Sequence, residues 1–184
     1  MPLISNSYRF FSKYLSEYPL GHLQIGVFDG YCFAELARQF PAKPFYAIDP
    51  FIEDGHTSHL TNRKQGDAIP VQEAEFMRNT ADLSNVKLFR QKSLDFRSEP
   101  GMEIDSILID GSHHYVDVAR DIQIMMELFR GKSHCVAYFD DYDNRVHGVV
   151  KAVNELLRNA KRHTVGRYEP LDGSSLILKL DFST

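Results

Sequence analysis

Short apolar runs of strand type alternate with helix-period segments along most of the chain, and this alternation leaves few folds open. Runs at 22–27, 45–48, 86–89, 104–109 and 135–139 are each followed by a helical segment or a long connection. That pattern predicts βαβ units and a parallel sheet with helices on both faces. Ile107-Leu108-Ile109 reads as a strand buried on both sides. Over 115–129, Tyr115, Val118, Ala119, Ile122, Met125, Met126 and Phe129 fall at i, i+3, i+4, i+7 spacing, and Gly131 follows as a cap. Further helices are predicted over 146–160 and after the first strand, the latter stopped by Pro41. Aromatic residues over 4–18 predict an amphipathic helix within an N-terminal segment, 1–20. Two final strands, 163–168 and 174–180, flank Asp172-Gly173, a tight-turn pair that makes them antiparallel. The expectation is a single α/β domain over residues 1–184. It has seven strands, mostly parallel, with a reversed C-terminal hairpin strand.

The segment 51–84 fits this scheme least. Its first half is polar, and only Val71, Ala74 and Met77 suggest a helix. A connection that long is usually functional, so it is the expected substrate-side segment. His56 and His59 within it, with Asp54 nearby, read as a solvated loop before they read as a metal site.

With 43% hydrophobic and 25% charged residues in 184, the chain can bury one core without staples. No run of about 18 apolar residues exists, and the start lacks a basic segment followed by an apolar one. Cys32 and Cys135 sit outside any zinc spacing. These features predict a cytoplasmic protein without a membrane partner. A net charge of −4 argues against a nucleic-acid partner. The aromatic N-terminal helix can pack on its own core or on a second copy, which leaves a homo-oligomer open.

In an open α/β sheet, ligands bind outside the carboxyl ends of the strands. The turn after the first strand reads Gly26-Val27-Phe28-Asp29-Gly30. A dinucleotide fingerprint needs glycine where Phe28 and Tyr31 stand, and no lysine follows Gly30 as a phosphate loop requires. What remains is G-x-x-x-G before a helix: either two turn glycines or a backbone that a ligand approaches closely at Gly26, Phe28 and Gly30. The second strand ends in Asp49-Pro50. Asp49 can accept both hydroxyls of a ribose, or it can be an ordinary turn aspartate. Together they describe a nucleoside site without a pyrophosphate clamp, and S-adenosylmethionine is such a ligand.

At this point the chain resembles the class I S-adenosylmethionine-dependent methyltransferases. The branch it resembles is that of small-molecule O-methyltransferases related to macrocin O-methyltransferase and the cephalosporin-biosynthesis proteins. The resemblance rests on IGVFDG, AIDPF, LIDGSHHY and YFDDYD followed by HGVVKAV, in family order over 23–157. It implies a Rossmann-like fold. It also implies that the turn after the third strand borders the adenine, which makes Ser93 and Leu94 cofactor candidates. Gln24 departs from the pattern: an acid usually stands there, supporting the amino-acid end of the cofactor. Gln24 can still accept a hydrogen bond from the cofactor but carries no charge, so either cofactor affinity is reduced or another acid, such as Asp29, compensates.

Asp110 closes the fourth strand and Asp140-Asp141 the fifth. Neighbouring strands lie about 4.8 Å apart, so these acids converge and repel. A divalent cation, Mg²⁺ or alternatively Mn²⁺ or Ca²⁺, would relieve the repulsion. The resemblance implies the same trio of ligands, with Asp110 also at the cofactor. The alternative is that Asp140 or Asp141 caps a turn. His113 can take a proton from an acceptor hydroxyl or merely hydrogen-bond its neighbours. Taken together, the expected activity is methyl transfer to a hydroxyl of a small polar acceptor. A methyltransferase-like binding domain without turnover is the competing expectation.

Overall fold

The computed structural model describes residues 6–52, 69–143, 146–159, 164–168 and 175–182. The predicted Asp172-Gly173 turn and the His56 and His59 pair lie outside them. Seven strands form one sheet: β1 (Gly21–Ile25), β2 (Phe45–Ile48), β3 (Val86–Phe89), β4 (Ile104–Ile109), β5 (Cys135–Phe139), β6 (Thr164–Tyr168) and β7 (Leu176–Leu180). Their order is β3-β2-β1-β4-β5-β7-β6. The first five pair in parallel, while β7 runs antiparallel to both β5 and β6. This is the predicted sheet with its reversed C-terminal pair.

Alternating side chains divide the core in two. Leu23, Ile25, Ile109, Ala137, Phe139 and Leu178 face one side, against α4 (Tyr115–Phe129) and α5 (His147–Asn159). Phe45, Ala47, Leu108, Tyr138 and Ile177 face the other. There they meet α1 (Asn6–Leu15), α2 (Tyr31–Gln39) and α3 (Ile69–Thr80). An irregularity in β4 breaks the alternation. The β1–β4 register shifts between Gly21 and His22, so Gly21 opposes Ile104 and His22 opposes Ser106. A bulge at Asp105 lets Ile104 and Ile107 share a face.

The parallel strands set the site. β1 to β5 all point the same way, so the residues after each of them gather on one rim. Three non-glycine residues with positive φ occur among the described residues: Phe28 at 53°, Phe51 at 48° and Asp141 at 52°. All three lie on that rim. Such backbone costs energy at non-glycine residues and concentrates at functional sites.

Candidate active site

Gly26 follows β1 with φ 81° and Gly30 precedes α2 with φ 71°. A Cβ on Gly26 would stand 2.1 Å from the Asp110 carbonyl oxygen, and one on Gly30 would stand 2.4 Å from the Phe76 ring. Both glycines are therefore required by the protein's own packing. Phe28, between them, is 39% exposed, and its ring stands at the rim.

Asp49 holds this turn in place. One carboxylate oxygen accepts from the Val27 and Phe28 amides at 2.9 and 3.3 Å, and the other from the Phe51 amide at 2.7 Å. The Asp29 carboxylate accepts from the Tyr31 amide at 3.0 Å, in the first turn of α2.

Gln24 is buried on β1. Its Nε2 donates to the Gly26 carbonyl at 2.8 Å and to the Tyr8 hydroxyl at 3.0 Å. Because Gly26 offers only an acceptor there, the nitrogen must face it, which leaves Oε1 buried without a hydrogen bond. The Tyr8 hydroxyl then donates to Asp110 Oδ2 at 3.2 Å. Tyr8 comes from α1, so the N-terminal helix contributes directly to the site. Nothing in the sequence marked Tyr8 among the many aromatic residues of that segment.

Asp110 is the electrostatic centre. Burial pushes its carboxyl well above the usual carboxylate range, Asp140 and Asp141 push it further, and the Tyr8 hydroxyl pulls the other way. Burial also raises Asp140, opposed by a hydrogen bond from Ser175. Asp110, His113 and Asp141 each present a ligand atom, and these atoms lie within 4.8 Å of one another. His113 Nε2 is 2.9 Å from Asp141 Oδ2.

The compact group is therefore not the expected trio. Asp140 Oδ1 turns toward β7 and accepts from Ser175 Oγ at 2.7 Å and Tyr138 OH at 3.2 Å. His113 joins the compact group, while Asp140 still lines the same hollow as Asp110 and His113. The positive φ of Asp141 sends the second of two adjacent acids the other way. Gly148, at the start of α5, lets that helix approach: a Cβ there would lie 2.0 Å from the His113 carbonyl oxygen. His114, exposed as expected, precedes α4 as its cap residue.

Ser93–Asp95 form a short 3-10 turn after β3. Leu94 is 58% exposed there.

The rim fits a nucleoside cofactor with a cationic amino-acid end in two respects. The buried Gln24 Oε1 is an acceptor lacking a donor, and an ammonium supplies one. Leu94 offers an exposed apolar face after β3, the strand that pairs with β2. The Asp110, His113 and Asp141 donor set also fits a divalent cation, because two carboxylates and an imidazole would exchange mutual repulsion for coordination. The imidazole shifts the preference from Mg²⁺ or Ca²⁺ toward Mn²⁺ and later metals.

A family model described as a methyltransferase domain matches residues 23–142, more than half of the chain. A search of curated proteins gives no match. Among solved structures, the chain is similar to the O-methyltransferase NovP at 15% identity, with a TM-score of 0.70 over 95% of this chain and 79% of that one. It is also similar to the N-methyltransferase NodS from Bradyrhizobium japonicum WM9 in complex with S-adenosyl-L-homocysteine. There the identity is 16% and the TM-score 0.61, over 94% of this chain and 86% of that one. Cofactor-bound Rv0187 from MTB gives 14% identity and a TM-score of 0.62, over 100% and 83%. At these identities the likeness establishes the fold.

Proposed function

The chain belongs to the methyltransferase domain family, and on that premise we propose that it transfers a methyl group from S-adenosylmethionine to a hydroxyl of a small polar acceptor. A divalent cation at Asp110, His113 and Asp141 completes the reading, as does the macrocin-like O-methyltransferase branch. The observation that carries it is the convergence on one rim of a buried acceptor lacking a donor, Gln24 Oε1, and a cation-ready trio.

In this reading Gln24 Oε1 receives the cofactor's ammonium. The Gly26–Gly30 turn presents its backbone to the amino-acid end, with Phe28 alongside. Asp49 fixes that turn and offers its carboxylate to the ribose, and Ser93 and Leu94 border the base. The reaction is an in-line displacement at a sulfonium methyl, so the protein chiefly aligns two partners. A hydroxyl must also lose its proton, unlike a neutral amine, and this favours oxygen as the acceptor atom at an acid-rich rim. A bound cation supplies Lewis acidity that lowers the hydroxyl's proton affinity. A ring nitrogen held by a cation cannot also accept a proton, so His113 Nε2 serves as ligand or as base.

The test is purified protein with S-adenosylmethionine and a panel of diols and catechols, scored for S-adenosylhomocysteine. Product should form with Mn²⁺, vanish with chelator and return on adding metal. His113→Ala should weaken Mn²⁺ binding by more than about tenfold, a loss that even outer-shell partners can cause. Asp140→Asn should leave it near wild type. Turnover indifferent to chelator removes the metal and leaves His113 as the base. Cofactor binding without turnover on any acceptor favours the non-catalytic domain.

A further inference from the structure

Packing alone does not account for a tyrosine at position 8. Phe11 and Leu15, further along α1, are wholly buried and already fix that helix to the sheet. Phe11 meets the Tyr138 ring at a centroid distance of 5.1 Å, and Tyr8 meets the same ring at 6.0 Å. A phenylalanine would keep that contact. The tyrosine adds a polar oxygen at a site only 6% exposed, which costs free energy unless the oxygen is hydrogen-bonded.

Two hydrogen bonds give this hydroxyl a direction. Gln24 Nε2 donates to it at 3.0 Å, and an amide nitrogen can only donate. The phenol proton is thereby left for Asp110 Oδ2, 3.2 Å away. Gln24 is itself held by the Gly26 carbonyl at 2.8 Å. Asp110, at the end of this chain of donors, is one corner of the Asp110, His113 and Asp141 group. Asp140 takes its hydrogen bonds elsewhere, from Ser175 and Tyr138.

Resting on the cation reading above, we infer that Tyr8 is a positioning residue of the metal centre: its hydroxyl, turned by the Gln24 amide, fixes the orientation in which Asp110 meets a divalent cation. A carboxylate clamped at one oxygen does not rotate freely about its Cβ–Cγ bond, so it stays in register with His113 and Asp141. A ligating carboxylate has only acceptor atoms, and a hydroxyl donor satisfies the lone pairs that the cation leaves over. Tyr8 makes no contact with the cation in this arrangement. It acts through Asp110. Outer partners that orient a ligand in this way carry about ten- to a hundredfold in metal affinity.

The experiment measures Mn²⁺ binding to the full chain, without cofactor or acceptor, from the loss of the free ion's paramagnetic resonance signal. Wild type, Tyr8→Phe, Gln24→Leu and Asp110→Asn are compared, and melting temperature and S-adenosylhomocysteine affinity are recorded for each. Tyr8→Phe should bind Mn²⁺ about tenfold more weakly, with its S-adenosylhomocysteine affinity close to wild type. Gln24→Leu leaves the phenol in place and removes the amide that turns it. It should weaken Mn²⁺ binding as well, and it decides the matter if Tyr8→Phe fails to fold. Adding Tyr8→Phe to Asp110→Asn should cost little more, because the two residues act as one unit. Unchanged Mn²⁺ affinity in Tyr8→Phe, with or without a lowered melting temperature, would make Tyr8 a packing residue and overturn the inference. A full tenfold loss on top of Asp110→Asn would overturn it too, since the effect would not pass through that acid. Wild-type protein that binds no Mn²⁺ would overturn the cation reading itself, a result distinct from equal binding by wild type and variant.

Discussion

Lowering the pH should destabilise this protein through His22. The imidazole lies wholly buried on β1, between the Phe11 and Phe45 rings at centroid distances of 5.7 and 5.1 Å. Nδ1 is 3.3 Å from Ser106 Oγ, and Nε2 has no hydrogen-bond partner. Burial, and secondarily the Lys43 charge, lower its pKa from 6.5 to about 3. Between these values the unfolded chain binds the proton and the folded chain does not. Stability is therefore full above pH 6.5 and is lost as the pH falls toward 3. At about 1.4 kcal/mol per pH unit, the whole interval corresponds to about 5 kcal/mol. By pH 4.5 it corresponds to about 3 kcal/mol, a large share of a typical domain's total. Urea titrations of wild type and His22→Gln at several pH values isolate this effect. Carboxyls with raised pKa, such as Asp110 and Asp140, act in the opposite direction, but they are common to both proteins and cancel in the difference. The glutamine variant should be less stable at pH 7.5, because it replaces a packed ring. The gap should close as the pH falls and reverse near pH 4. A gap that stays constant from pH 7.5 to 4 would refute the argument and show that His22 finds water or a partner when charged.

Two further outcomes follow from particular contacts. Burial raises Asp121 to about 7 from 3.8, so the folded state holds the proton more tightly and stability is lost as the pH rises through that interval. Asp121→Asn should gain on wild type between pH 4 and 7, by up to about 4 kcal/mol in urea titrations. Gly148→Ala puts a methyl 2.0 Å from the His113 carbonyl oxygen. It should cost about 1–3 kcal/mol in thermal unfolding, as overpacking does, and it should reduce Mn²⁺ affinity by displacing His113.

Much of this arrangement can be read before any coordinates. The bounds of β2, β3, β4, β5 and α4 coincide with the apolar runs because each run is bounded by polar or turn-forming residues. β1 ends sooner than its apolar run, at Ile25, because Gly26 at φ 81° leaves the sheet. The bulge at Asp105 is invisible in sequence, since register depends on the partner strand. Parallel topology alone predicts that Asp49, Asp110 and Asp141 share a rim. It cannot say which of two adjacent acids turns inward. That choice rests on one backbone dihedral at Asp141 and on Ser175, which comes from the other end of the chain. Asp121 was legible in principle as a charge at a stripe position of α4. Tyr8 was not, because its bond to Asp110 spans 102 residues and no local pattern encodes it.

Gln24 shows why counting charges misjudges such a site. Read alone, a neutral amide in place of an acid is a loss. Its surroundings are two acceptors, the Gly26 carbonyl and the Tyr8 hydroxyl oxygen. A carboxylate at 24 would face the Gly26 oxygen with no proton to offer. It would also draw the Tyr8 proton toward itself and away from Asp110, whose carboxyl is already burdened by Asp140 and Asp141. With glutamine, the direction of donation is fixed: amide to Tyr8, Tyr8 to Asp110. Gln24 and Tyr8 therefore act as a matched pair of donors. α1 supplies Tyr8, so the helix farthest from the acids in sequence fixes the one they crowd most.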